Sequence, residues 1–202
     1  MKLELKELQE KDFKKVIQYA IKGMHFNMYM SNKIVLKLYG KYFWYLELLN
    51  ATQVIACYYG EELAGVLVAD INGETKYHKS FSKSLYVKFI EFIQTHFFKD
   101  SVGIYDEVNR KMLEIYKKEN NPNGEIRFLA SNPNLKIKGI GTMLLNELEQ
   151  REKGKELYLF TDDKCTYQFY EHRGFDKVGE EDIILELGNQ VPLKCFLYRK
   201  KM

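Results

Sequence analysis

Residues 124–154, GEIRFLASNPNLKIKGIGTMLLNELEQREKG, are the stretch around which the chain is read. They open as a strand, with Ile126 and Phe128 alternating against Glu125 and Arg127 before Leu129 and Ala130. Ser131-Asn132-Pro133-Asn134 is a cluster of turn formers. Ile140, Met143, Leu144 and Leu148 then fall at helical spacing, and Arg151, Lys153 and Gly154 suit a helix end. Between strand and helix lies Lys136-Ile137-Lys138-Gly139-Ile140-Gly141, followed by Thr142. Two glycines at a helix start let the backbone approach a ligand, and the first-turn N–H groups have no partner inside the helix. Those donors, the helix dipole and two lysines suit a phosphate group. A plain tight turn from strand to helix also accounts for the loop. The Walker A spacing is not met, and Leu144 stands where a dinucleotide fingerprint needs Gly or Ala.

The next segment narrows the choice. Residues 156–161, ELYLFT, read as a strand, Asp162 and Asp163 as caps, and residues 164–173 as a short helix stopped by Gly174. Phe169-Tyr170-Glu171-His172-Arg173-Gly174-Phe175 resembles the FYxxxGF signature of the GNAT acetyltransferase superfamily. The run from Lys136 to Gly141 is similar to that family's acetyl-CoA loop, Q/R-x-x-G-x-G/A, with Pro133 at the usual distance before it. The resemblance covers residues 124 to about 199 by motif and the remainder by topology alone. It implies acetyl-CoA as co-substrate, without a metal. Its binding residues would be Leu129, Ala130 and Ser131 on the strand and Lys136, Ile137, Lys138, Gly139, Ile140, Gly141 and Thr142 in the loop. Asp163, Tyr167, Phe169 and Tyr170 would follow from the next unit. Lys136 replaces the usual Gln or Arg, which keeps charge but loses a forked contact, and Asp163 and Thr166 stand where many members carry Asn and Ala.

Composition sets the outer bounds. The 202 residues suit one domain, residues 1–202, with 46% hydrophobic, 29% charged and 14% aromatic side chains. A net charge of +3 is too mild to suggest nucleic acid or a membrane as partner. Cys57, Cys165 and Cys195 show no metal or redox spacing, and MKLELKELQEKD is not a signal peptide, so a cytoplasmic protein is expected.

The rest of the chain reads as α/β. A strand at residues 2–7 precedes a helix capped by Asp12, with Phe13, Val16, Ile17, Ala20, Ile21 and Met24 on one stripe. Residues 24–30 are apolar without a period; in the family this connection edges the acceptor site, and core filling is the plainer reading. A second helix follows Ser31, with Ile34, Val35, Leu38, Tyr42, Tyr45 and Leu49 inward. Residues 54–59 and 63–71 form a hairpin. A segment of about fifty residues, roughly 72–123, then exceeds any ordinary loop. Leu85, Phe89, Phe92, Ile93 and Phe97 mark one helix in it, and Val108, Met112, Ile115 and Tyr116 another. The segment reads as a helical insertion before the acetyl-CoA strand, a cap on the same domain, with a structural flap or homodimer contact as the alternative. Residues 175–187 and 193–199 close the chain as a hairpin around Gly188-Asn189-Gln190-Val191-Pro192. Together with the resemblance, this gives a GNAT-like fold, a mostly antiparallel, splayed mixed sheet flanked by helices.

The implied reaction is direct transfer of acetyl from acetyl-CoA to a primary amine of a small molecule or peptide, through a ternary complex. Such transfer needs a held pantetheine, a donor for the oxyanion and an acid for the leaving thiolate. A strand N–H near Leu129, Ala130 or Ser131 would meet the oxyanion. Tyr170 matches the family tyrosine near the sulfur and is the candidate acid; an aromatic packing role is its alternative. No base is legible: Asp70, Glu107 and Glu125 read as solvated carboxylates, and His25, His78, His96 and His172 lack metal spacing. Cys165 reads as a packing thiol more readily than as a nucleophile. An inactive acyl-CoA-binding module is the other class of function left open.

Overall fold

The computed structural model describes residues 2–30, 32–97, 103–186 and 190–202. Its elements are β1 (Leu3–Lys6), α1 (Phe13–Gly23), α2 (Phe26–Tyr29), α3 (Lys33–Asn50), β2 (Gln53–Tyr59) and β3 (Glu62–Ile71). Next come α4 (Phe81–Phe97), α5 (Ile104–Tyr116), β4 (Gly124–Ser131) and α6 (Ile140–Arg151). The chain ends with β5 (Glu156–Asp162), α7 (Gln168–His172), β6 (Asp176–Glu186) and β7 (Gln190–Lys201). The strands form one seven-stranded sheet in the order β1-β2-β3-β4-β5-β7-β6. Every pairing is antiparallel except β4 with β5.

Helices cover both faces. On one, α1 and α3 seat Val16, Tyr19, Trp44 and Leu48 over Val66, Val68 and Phe128. On the same side α5 places Met112 and Tyr116 against Tyr158, Cys195 and Leu197. On the other, Ile140, Leu144, Leu145 and Leu148 of α6 meet Ile126, Leu157, Leu159 and Tyr198. Burial of such side chains contributes about 1.5–3 kcal/mol each relative to exposure, so these layers set the fold. Among the described residues no helix is long and apolar enough to cross a membrane.

Three local expectations are corrected. Asp12 does not cap α1. It is buried, accepts the Tyr58 hydroxyl at 3.0 Å and pairs with Lys15 at 2.9 Å. In α3 the buried positions are Gly40, Trp44, Glu47 and Leu48, whereas Ile34, Val35 and Leu38 are exposed. The helix is apolar nearly all round, so periodicity alone could not choose its face. Close approach to α1 does choose it: a Cβ at position 40 would lie 2.7 Å from Ile21. Ser31 is outside the described residues, and Asn32 caps α3 by accepting from the Ile34 and Val35 N–H groups. At the C-terminal hairpin, Gln190, Val191 and Pro192 are already in strand, paired with Glu186, Leu185 and Ile184. β5 joins β7 only from Cys195 onward, so Pro192 has no neighbour on that edge to miss its N–H. Gly188 and Asn189 lie outside the described residues.

Candidate active site

The site begins with a bulge in β4. Val68 pairs with Phe128 and Ala69 with Ile126, so Arg127 has no partner on β3. The extra residue flips the alternation of side chains. Ile126 packs in the core beneath α6, while Phe128 and Ala130 pack beneath α1 and α3. Residues 126 and 128 therefore do not share a face, contrary to the strand pattern. Arg127 turns to α3, where Nε donates to Glu47 at 2.6 Å and Nη2 to its other oxygen at 3.2 Å. Its Nη1 donates to Glu125 at 3.1 Å. Burial pushes the Glu47 carboxyl up to about 7, against the pull of Arg127. Burial also raises Glu125, which accepts the Tyr158 hydroxyl at 3.5 Å. Glu125 is thus part of an internal network, not a solvated carboxylate. Asp70 pairs with Lys76 at 2.7 Å, and Glu107 is exposed.

Beyond the bulge the two parallel strands part. β4 and β5 pair only at Gly124 with Leu157 and Glu125 with Tyr158, after which β5 follows β7 alone. A cavity of about 480 Å³ fills the opening. Residues 126–131 of β4 form one wall, and Phe160 and Thr161 of β5 the other. Tyr19, Lys22, Gly23 and Met24, from the end of α1, border it, and Gly139, Ile140, Gly141 and Thr142 lie at the start of α6. Cys165, Thr166, Phe169 and Tyr170 complete it. Met24 faces the cavity, whereas Phe26, two residues on, packs edge-on against Tyr39 and Phe43.

The loop before α6 is held from behind. Asn132, buried, donates to the Leu63 carbonyl at 3.3 Å and accepts the Asn134 N–H at 3.0 Å. Gly139 caps α6 with φ +89°, a left-handed conformation glycine adopts without penalty, and no side chain caps the helix. A Cβ at 139 would meet nothing within 4 Å, but one at 141 would lie 3.2 Å from the Phe169 ring. The two glycines differ: Gly139 shapes an open turn, and Gly141 makes room for Phe169. Lys136 and Lys138 are exposed, border the loop rather than the cavity, and have no ion pair among the described residues.

Of the residues singled out in the sequence, Leu129, Ala130, Ser131, Ile137, Gly139, Ile140, Gly141, Thr142, Phe169 and Tyr170 share the cavity. Asp163 and Tyr167 do not. Asp163 accepts the Lys194 N–H at 3.0 Å and pairs with Lys164, and Tyr167 packs on Phe196 with ring centroids 4.9 Å apart. The turn before α7 is capped instead by Asp162, which accepts from the Lys164 and Cys165 N–H groups. Tyr170 packs among Phe169, Phe175 and Tyr198. Burial drives its phenol well above the usual range, so it keeps its proton. Burial, then Asp162, raises the Cys165 thiol to about 12, which removes it as a nucleophile at neutral pH. No three His, Cys, Asp or Glu side chains among the described residues converge as a metal site.

Lys22, Arg127, Glu47 and Asn132 were not singled out as site residues in the sequence. Arg127 and Glu47 each stand in a largely apolar element, and because buried charges need partners that placement was the available signal. Lys22 carried none, being an ordinary last-turn lysine.

Residues 102–175 match the sequence model of the acetyltransferase (GNAT) family. The fold is similar to that of arylalkylamine N-acetyltransferase 2 from Aedes aegypti, with a TM-score of 0.60, 16% identity, and 100% and 99% of the two chains covered. It is also similar to histone acetyltransferase HPA2 and related acetyltransferase from Corynebacterium glutamicum, with a TM-score of 0.59, 14% identity, and 98% and 96% covered. PaiA N-acetyltransferase from Thermoplasma acidophilum, solved in complex with coenzyme A, matches with a TM-score of 0.53, 16% identity and full coverage of both chains. No curated protein sequence matches the chain.

Proposed function

We propose that the chain, which matches the acetyltransferase (GNAT) family model over residues 102–175 and has a fold similar to that of solved N-acetyltransferases, transfers acetyl from acetyl-CoA directly to a primary amine of a small molecule or peptide, within a ternary complex. The observation that carries this reading is the parting of β4 from β5 after two paired residues, with Tyr170 on the cavity it opens. At about 480 Å³ the cavity is within the range of small-molecule sites, about 300–1,000 Å³. The uncapped start of α6 suits the pyrophosphate, with Lys136 and Lys138 alongside. Leu129, Ala130 and Ser131 line the cavity on a part of β4 that has no pairing with β5, which suits the pantetheine and the oxyanion.

The chemistry balances with few groups. The amine nitrogen forms the bond to the acetyl carbon, the C–S bond breaks, and sulfur leaves with the electron pair. Tyr170 supplies the proton to sulfur and regains one from solvent. No carboxylate or imidazole lines the cavity among the described residues, so the amine attacks as its neutral form and its extra proton passes to water. Turnover is therefore expected to rise with pH until the acceptor ammonium is deprotonated.

Thiol release from acetyl-CoA across a panel of amines, with mass detection of the acetylated product, tests the reading. Release that requires an amine and yields its acetamide is the expected result. Firm CoA binding without turnover on any amine would contradict it.

A further inference from the structure

Arg127 borders the cavity, and the donors of its guanidinium are only partly used. Arg127 has five N–H groups in a fixed fork. Three are committed: Nε–H and one Nη2–H to Glu47, and one Nη1–H to Glu125. Arg127 lines the cavity, and neither Glu47 nor Glu125 does. Two donors remain, one on each terminal nitrogen, on a side chain that keeps 20% of its surface exposed. Lys22, exposed at the end of α1, lines the same cavity and has no partner among the described residues. No Asp or Glu lines the cavity among the described residues.

Resting on the acetyltransferase reading, we infer that the acceptor is an aminocarboxylate, whose carboxylate is bound by Arg127 and Lys22 while its amine faces the acetyl group. The two buried carboxylates fix the fork in place, so little ordering is required of Arg127 when the acceptor binds. They also add negative charge beside it, which taken alone would favour a cationic acceptor. The cavity lining favours the other sign: Arg127 and Lys22 belong to it and no Asp or Glu does among the described residues, so an acceptor carboxylate would meet N–H donors. Burial also drives Glu47 toward its neutral form, which weakens that opposing charge. Anchoring the carboxylate orients the neighbouring amine toward one point, which is the geometric requirement of direct transfer.

Acceptors that differ only at this group give the test: phenylalanine, its amide, phenethylamine and a diamine, each assayed for thiol release at saturating acetyl-CoA. Loss of one charge-assisted hydrogen bond lowers kcat/KM by about 10–100-fold, so the acid should exceed its amide and amine by that factor. Lys22→Gln, a surface change, should raise the acceptor KM by roughly tenfold and leave the acetyl-CoA KM in place. Arg127→Gln is made together with Glu47→Gln, so that no buried carboxylate is left unpaired, and melting shows that the pair folds. The double variant should lose the preference for the acid. Turnover of the amide, amine or diamine as good as that of the acid overturns the inference while the acetyltransferase reading stands. So does a Lys22→Gln effect confined to acetyl-CoA. Thiol release with none of the four acceptors, nor with any other amine, overturns both.

Discussion

Tyr170 offers the sharpest single-residue test of the proposed chemistry. Its ring packs against Phe169 and Phe175, and its hydroxyl belongs to a side chain on the cavity. Tyr170→Phe keeps the packing and deletes only the acid. Turnover should fall by about 10²–10⁴-fold, with acetyl-CoA affinity unchanged, because the hydroxyl acts only as charge develops on sulfur. Near-normal single-turnover rates would return Tyr170 to a packing role. Glu47 makes a pH prediction. Burial lifts its folded pKa from 4.5 to about 7. The unfolded chain ionises it first as pH rises, so its contribution to stability is largest below pH 4.5, declines toward about pH 7 and is flat above. At about 1.4 kcal/mol per pKa unit, the decline is of order 3–4 kcal/mol. Glu47→Gln should flatten the slope of melting temperature between those pH values; an unchanged slope would show that Arg127 keeps the carboxylate ionised throughout. In the sequence Arg127 and Glu47 stand in largely apolar elements, but nothing there marks them as partners. Their pairing depends on a bulge, which one extra residue in β4 creates and no alternation pattern reveals.

At the level of elements, the start of α6 is the part whose sequence spoke most plainly. Gly139 and Gly141, two lysines and an uncapped first turn were all legible, and the structure separates the two glycines by function. Gly139→Ala strains a left-handed residue, a cost of about 1 kcal/mol that should lower Tm by about 2–4 °C. Acetyl-CoA affinity should drop by tenfold or more, because each misdirected donor to a phosphate is worth about 1.5–3 kcal/mol. Unchanged affinity in the folded variant would remove the phosphate role from this turn. Strands β2, β3, β4 and β5 were also readable, since their β-branched and aromatic runs end in clear turn formers. The face of α3 was not. Ile34, Val35 and Leu38 compete with Trp44 and Leu48 for the interior, and only packing against Ile21 through Gly40 settles which side wins.

The whole molecule is organised by one opening in its sheet. Its two walls and the turn beneath it come from residues 126–170, a span whose motifs could be read in order. Its remaining border comes from the end of α1, more than a hundred residues earlier, where Tyr19 and Lys22 reach the same cavity. That contact is fixed by the seating of α1 across β3 and β4, with the Tyr19 hydroxyl donating to the Leu63 carbonyl at 2.8 Å, and nothing local in α1 announces it. The central claim is that acetyl-CoA occupies the space between β4 and β5, and amide hydrogen exchange measured with and without acetyl-CoA examines it directly. Protection should concentrate in residues 126–131, at 139–143 and at 165–170, and leave β1 and the β6–β7 hairpin unchanged. Protection confined to other elements, or none at saturating acetyl-CoA, would contradict the account.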